Sequence, residues 1–262
     1  MKKHIPILLI TVLGMAVLLV SSCTKPTAPN FEEYGIPANV WDYENVLWFE
    51  LDYVEPTKGI ANVEIWMSSK GVDPAATLKI GTQTIEFDEV DSYTAGVIYY
   101  GGHYSLNTDQ PVTYEIVDGE REHTGSISIL PKQVMVTTWP EFNPTTNYSP
   151  TWSIATDPQL HVIDAGAYGS ETDFELLREI PGTQKTYTML QSSWEPYLPI
   201  EEFYFGVNAI GYEMLNKNKV LIAGVSYNYY DWTLPPEDKE NRPERQREPF
   251  RFMDQIQEDI SK

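Results

Sequence analysis

Hydrophobic and polar positions alternate in short runs along most of this chain. From Val46 to Val54 the order V-L-W-F-E-L-D-Y-V sets Leu47, Phe49, Leu51 and Tyr53 on one side of an extended segment, with Trp48, Glu50 and Asp52 on the other. Ala61–Met67 repeats the pattern, placing Val63 and Ile65 against Glu64 and Trp66. A period of two over such runs predicts strands with one buried face. Leu78–Ile80 and Thr84–Phe87 flank Gly81-Thr82-Gln83 as a hairpin. Gly96–Tyr100, Val112–Val117 and Ser126–Leu130 complete this set, with Asp118-Gly119 as a turn signal before the last. No amphipathic helix separates these strands, so the pattern predicts an antiparallel sandwich over residues 41–131.

Pro131-Lys132 is the expected boundary. A second set of runs follows over 132–234: Gln133–Thr138, Thr151–Ala155, Leu160–Ala165, Phe174–Ile180, Thr186–Leu190, Glu202–Ala209 and Val220–Tyr230. Phe203, Phe205, Val207 and Ala209 fall on one face, and Tyr204, Gly206, Asn208 and Ile210 on the other. Trp152 in T-W-S-I-A, the Thr186-Tyr187-Thr188-Met189 run and the alternation from Phe203 to Ile210 together resemble an immunoglobulin-like or fibronectin type III-like domain. The resemblance implies an all-β chain of two tandem antiparallel β-sandwiches, with Trp152 buried in the second. His161-Val162-Ile163 stands where that family has a Tyr-x-Val strand.

The first residues follow a different rule. Lys2 and Lys3 precede an apolar run from Ile5 to Val20, which Ser21, Ser22 and Cys23 close. A basic start, a short apolar stretch and small residues before a cut make a signal peptide. Val20-Ser21-Ser22-Cys23 resembles the lipobox of bacterial lipoproteins. That likeness implies removal of residues 1–22 and acylation of Cys23, which becomes the new N-terminus and holds membrane lipid. Each buried CH₂ of such chains contributes about 0.8 kcal/mol, so several chains anchor a domain firmly. Thr24, in place of the Asp that retains lipoproteins at the inner membrane, implies the outer membrane. Residues 23–40, with Pro26, Pro29 and Pro37, read as a tether. Residues 235–262 carry mixed charge and read as a solvated tail; Phe250, Met253, Ile256 and Ile260 after Pro249 predict a short helix over 250–261.

Charge narrows the function. The 38 Asp and Glu outnumber 18 Lys and Arg, a net −20, which excludes a nucleic-acid binder that works by neutralising phosphates. A single Cys excludes an intramolecular disulfide. The chain contains no G-x-S-x-G, H-E-x-x-H, G-x-x-x-x-G-K-[ST] or G-x-G-x-x-G opening a helix. His103, His123 and His161 are scattered over both halves. Glu86, Asp88, Glu89 and Asp91 offer oxygen ligands that a calcium ion would accept, against the plainer reading of a solvated strand and turn.

Aromatic residues carry more information. Tyr99 and Tyr100 precede Gly101-Gly102, and Tyr227, Tyr229, Tyr230 and Trp232 crowd the end of the second set. Alternation cannot bury both Tyr229 and Tyr230 on one face, so one of them points outward. These six form the candidate ligand surface, since aromatic rings with polar rims suit sugar and peptide recognition. The expectation is a lipid-anchored, non-catalytic binding, adhesion or structural module without a cofactor, its partner an envelope protein or glycan. The alternative is a carbohydrate-binding protein or a glycan-active envelope enzyme.

Overall fold

The first alternating run becomes β1 (Asn45–Glu55), and a turn at Pro56–Gly59 folds β2 (Ile60–Lys70) back onto it. Gly59 closes this turn with a φ of 66°, in the left-handed region that glycine enters without strain. The computed structural model describes residues 42–70, 76–93, 97–169 and 173–233. The leader, Cys23, the tether, the charged tail and the helix expected over 250–261 lie outside these residues. The remaining strands are β3 (Thr77–Ile80), β4 (Gln83–Thr84), β5 (Glu89–Tyr93), β6 (Val97–Asn107), β7 (Val112–Asp118), β8 (Arg121–Ile127), β9 (Leu160–Gly169), β10 (Asp173–Pro181), β11 (Ile200–Leu215) and β12 (Val220–Thr233). The chain is all-β.

Strands from both sides of Pro131-Lys132 share one sheet. Its order is β10-β9-β11-β12-β1-β2-β6-β5, and a four-stranded sheet runs β4-β3-β7-β8. Within the large sheet β1 and β12 pair in parallel, from Asn45 opposite Val220 to Leu51 opposite Ser226, while the other ladders are antiparallel. This differs from two separately closed sandwiches of the immunoglobulin type. The second half contributes four strands, all to the large sheet. The expected strands at Gln133–Thr138, Thr151–Ala155 and Thr186–Leu190 are reduced to isolated bridges: Met135 to Ser153, Tyr148 to Met189 and Thr151 to Thr186. Pro140, Pro144 and Pro150 interrupt this region, and proline donates no ladder hydrogen bond.

Register places both hydrophobic cores on the same face of the large sheet. Leu47, Phe49 and Leu51 of β1, Val63, Ile65 and Met67 of β2, and Ile222 of β12 pack beneath Leu78, Tyr114 and Ile116 of the small sheet. Ile163 and Ala165 of β9, with Phe203, Phe205 and Val207 of β11, pack beneath the irregular segments. Phe142 stacks on Phe203 with ring centres 3.8 Å apart, and Trp194, fully buried, donates its indole N–H to the Pro144 carbonyl at 2.9 Å. Trp152 is buried, as the resemblance implied.

Strand β8 begins earlier than its apolar residues suggest. Its inward positions include His123 and Gly125, and the Tyr114 ring of β7 fills the space a side chain at Gly125 would take. His123 Nε2 lies 3.0 Å from Glu44 Oε2, and Lys219 Nζ lies 2.7 Å from Glu44 Oε1. The Lys219 hydrogen bond holds the Glu44 carboxyl below its usual range. Polar partners here replace the hydrophobic signal.

Between the two cores the chain itself crosses the sheet. Residues 129–134 run over the inner face of β11 and β12, and three side chains below hold the crossing backbone. Tyr53 donates to the Pro131 carbonyl at 2.8 Å, Ser226 to Lys132 at 2.5 Å and Asn228 to Val134 at 3.1 Å. Gly211 and Gly224 face each other across the β11–β12 ladder under this strap. A Cβ at Gly211 would run into the Ile129 carbonyl oxygen, and one at Gly224 would meet Leu130 and Pro131. The obstacle at Gly211 is backbone, which cannot rotate aside. Gly211→Ala should therefore destabilise the protein by about 3 kcal/mol or more. Urea unfolding checks this, and a loss under ~1 kcal/mol would show that the strap is free to shift.

His161 on β9 is fully buried beneath the second core. Trp152 Nε1 approaches its Nε2 at 3.3 Å and Lys185 Nζ at 3.4 Å, so Nε2 accepts and the ring is neutral. Burial first, then the Lys185 charge, lowers its pKa to about 4 from 6.5. The unfolded chain thus binds the proton more tightly than the folded one. Stability is complete above about pH 6.5 and falls as pH drops towards 4, by roughly 3 kcal/mol in all. Carboxylates titrate mainly below about pH 4.5, so the upper part of that window belongs to histidine. Denaturation midpoints at pH 7 and pH 5 should differ in the wild type, and His161→Gln should flatten that slope.

Candidate functional site

The other face of the large sheet carries its polar residues in registered rows. Across β1, β2 and β6, Trp48, Trp66 and Gly101 form one row, Glu50, Glu64 and His103 the next, and Asp52, Asn62 and Ser105 a third. Alternation produces this directly, since residues two apart on each strand share a face. Gly101 makes room for Trp66, whose ring a Cβ there would meet at 2.9 Å.

Two carboxylates therefore stand side by side. Trp48 Nε1 donates to Glu50 Oε1 at 3.1 Å and Trp66 Nε1 to Glu64 Oε1 at 3.0 Å. Like charges directly opposite across a ladder repel, at a cost of roughly 0.2–1 kcal/mol. Each indole offsets part of that cost by fixing one oxygen. Asp52 and Glu64 enter no ion pair among the described residues.

These rows floor a groove of about 620 Å³, lined chiefly by Glu50, Asp52, Asn62, Glu64, His103 and Tyr227. Tyr227 comes from β12, so the parallel ladder brings it beside β1. Burial, then the Asp52 and Glu50 carboxylates, push its hydroxyl up to about 12. Tyr229, two residues on and 48% exposed, stacks against it with ring centres 6.2 Å apart and an interplanar angle of 21°. The tyrosine and carboxylate pattern continues across β11 and β9, where Tyr204 donates to Asp164 at 2.9 Å and stacks on Tyr168.

The six aromatic residues singled out in the sequence do not form one surface. Tyr227 and Tyr229 share the outer face. Tyr230 and Trp232, one register step away, turn inward against the second core, where Tyr230 also receives the Phe142 N–H at 3.1 Å. Tyr100 is buried in the first core and accepts the Ala76 N–H at 2.9 Å. The Tyr99 side chain lies outside the described residues. Of the calcium candidates, Glu86 and Asp88 are exposed, and the side chains of Glu89 and Asp91 also lie outside the description. Among the described residues no three His, Cys, Asp or Glu side chains gather as a metal site.

Glu50, Asp52, Asn62, Glu64 and His103 were not among the residues expected from the sequence to form the ligand surface. A signal for two of them was present, because W-F-E at Trp48–Glu50 and E-I-W at Glu64–Trp66 are mirror images about the hairpin. No protein-family model matches the chain, and no curated protein matches it.

Glu64→Gln removes one of the opposed charges and keeps an acceptor for Trp66. The variant should be more stable than the wild type by about 0.2–1 kcal/mol at neutral pH and low salt. Chemical denaturation measures it, and a clear loss would mean that the fold itself needs the carboxylate.

Proposed function

We propose that this chain is a lipid-anchored module of the bacterial cell envelope that binds without catalysing, and that the outer-face groove is its binding site. The observation that carries the reading is the groove's construction. Its polar side chains stand on four adjacent strands whose backbones are tied into ladders, and two of its carboxylates are fixed by buried or half-buried indoles. A site so pre-organised loses little entropy when it is occupied. The lipobox resemblance at Val20–Cys23 supports the anchor, and Thr24 supports an outer-membrane address. A fibronectin type III-like descent for the second half belongs to the same proposal, supported by buried Trp152 and by inward-facing Phe203, Phe205, Val207 and Ala209.

One observation favours a second reading, a glycan-active enzyme. Glu50 and Glu64 face the groove as a pair, and glycoside hydrolysis uses two carboxyl groups roughly 5–10 Å apart. The two accept an indole N–H in the same way, however, whereas the acid and the base of such a pair need environments that set them apart. Binding is the better-supported function.

The anchor is tested at Cys23. Wild-type protein should partition into the detergent phase on Triton X-114 separation, and Cys23→Ser should move it to the aqueous phase. Unchanged partitioning would remove the lipid anchor from the reading.

A further inference from the structure

We infer that the outer-face groove takes a neutral oligosaccharide, with one sugar ring lying on the Tyr227–Tyr229 pair and neighbouring hydroxyls donating to the carboxylates of β1 and β2. The inference deepens the reading of the groove as a binding site and rests on it. Its volume of about 620 Å³ lies within the range of roughly 300–1,000 Å³ typical of small-ligand sites, and it is open rather than enclosed. An open groove suits a segment of a longer chain.

Charge restricts the ligand. Three carboxylates line the groove and, among the described residues, no Lys or Arg does, so phosphorylated, sulfated and uronic-acid chains would meet repulsion. Hydrogen-bond chemistry restricts it further. Ionised carboxylates only accept, while Asn62, Ser105 and His103 beside them can also donate. That inventory matches hydroxyl groups, which do both.

Glu50 and Glu64 each accept a neutral indole N–H on one oxygen. Hydroxyl groups of a ligand supply further donors of the same neutral kind. The spacing agrees, since adjacent strands lie about 4.8 Å apart, close to the width of one sugar ring.

Stacking supplies the remaining element. Tyr227 and Tyr229 stand on one face of β12, nearly parallel, with Tyr229 half exposed. Flat rings with hydroxyl rims present apolar area to the C–H face of a sugar while their edges stay wet.

The test uses full-length mature protein in detergent micelles, titrated with hexasaccharides of glucose (α-1,4 and β-1,4), xylose, mannose and N-acetylglucosamine. Calorimetry and tryptophan emission give the readouts, Trp48 and Trp66 being the reporters beside the groove. At least one sugar should bind, with affinity changing less than about twofold between low and high salt. Tyr229→Ala should weaken binding at least about tenfold, or ~1.4 kcal/mol, while Tyr229→Trp retains it. Asp52→Asn together with Glu64→Gln should weaken it about fivefold or more with a thermal midpoint no lower than that of the wild type. Two results would overturn the inference: no binding by any of these sugars, or tight binding of an oligo-arginine peptide that collapses with salt while the sugars stay silent. Shortened sugar products would leave the ligand class standing and overturn the non-catalytic reading instead.

Discussion

The parallel ladder between β1 and β12 is the constraint on which the rest of the structure depends. It joins residues at opposite ends of the described chain, Asn45 to Val220 through Leu51 to Ser226, within a sheet whose other pairings are antiparallel. Separated, β1 and β12 would each present an edge of unpaired N–H and C=O groups, an arrangement that invites association with other chains. Paired, they are the two central strands of eight. The groove exists only because of this join: Glu50, Asp52, Asn62, Glu64 and His103 belong to the first half and Tyr227 to the second.

One consequence is that both cores occupy the same face of the sheet, so the connection between the halves has to cross that face. A crossing chain brings buried carbonyl groups, which are costly without partners. Tyr53, Ser226 and Asn228 supply the donors, and the glycines at 211 and 224 supply the space. Polar and glycine positions in the middle of otherwise apolar strands are thus the mark of the strap and not of a weakened ladder.

This explains which features were legible in the sequence. Alternation gave the faces of Val46–Val54, Ala61–Met67 and Phe203–Ile210 correctly, because each of those strands has one face in a core and the period of two records it. It also required Tyr229 and Tyr230 to part company, and they do. Local pattern says nothing about which strands become neighbours, and the parallel join of β1 to β12 has no turn to announce it. The residues of the boundary expected at Pro131-Lys132 lie instead across a shared sheet. Strand β8 was placed late because its buried positions are a histidine paired with Glu44 and a glycine filled by Tyr114. The groove escaped notice because its residues are ordinary polar positions until the hairpin register sets Glu50 beside Glu64.

That register matters more than the number of acids. In the small sheet, the cross-strand neighbours Lys79 and Glu115 carry opposite charges and pair at 2.5 Å, the arrangement favoured wherever stability alone decides. In the large sheet, Glu50 and Glu64 oppose each other with like charge, in a chain that could place lysine there at no cost in strand geometry. Sequences that fold well keep local rules mutually consistent and break them mainly where function demands it. Here the break is coupled to two tryptophans that orient the offending carboxylates, a glycine that makes room for one of those tryptophans, and a tyrosine pair alongside with Tyr229 exposed. Stability alone does not account for these four features together, and they are the features that the proposed recognition surface, with fixed acceptors beside a flat apolar platform, would use.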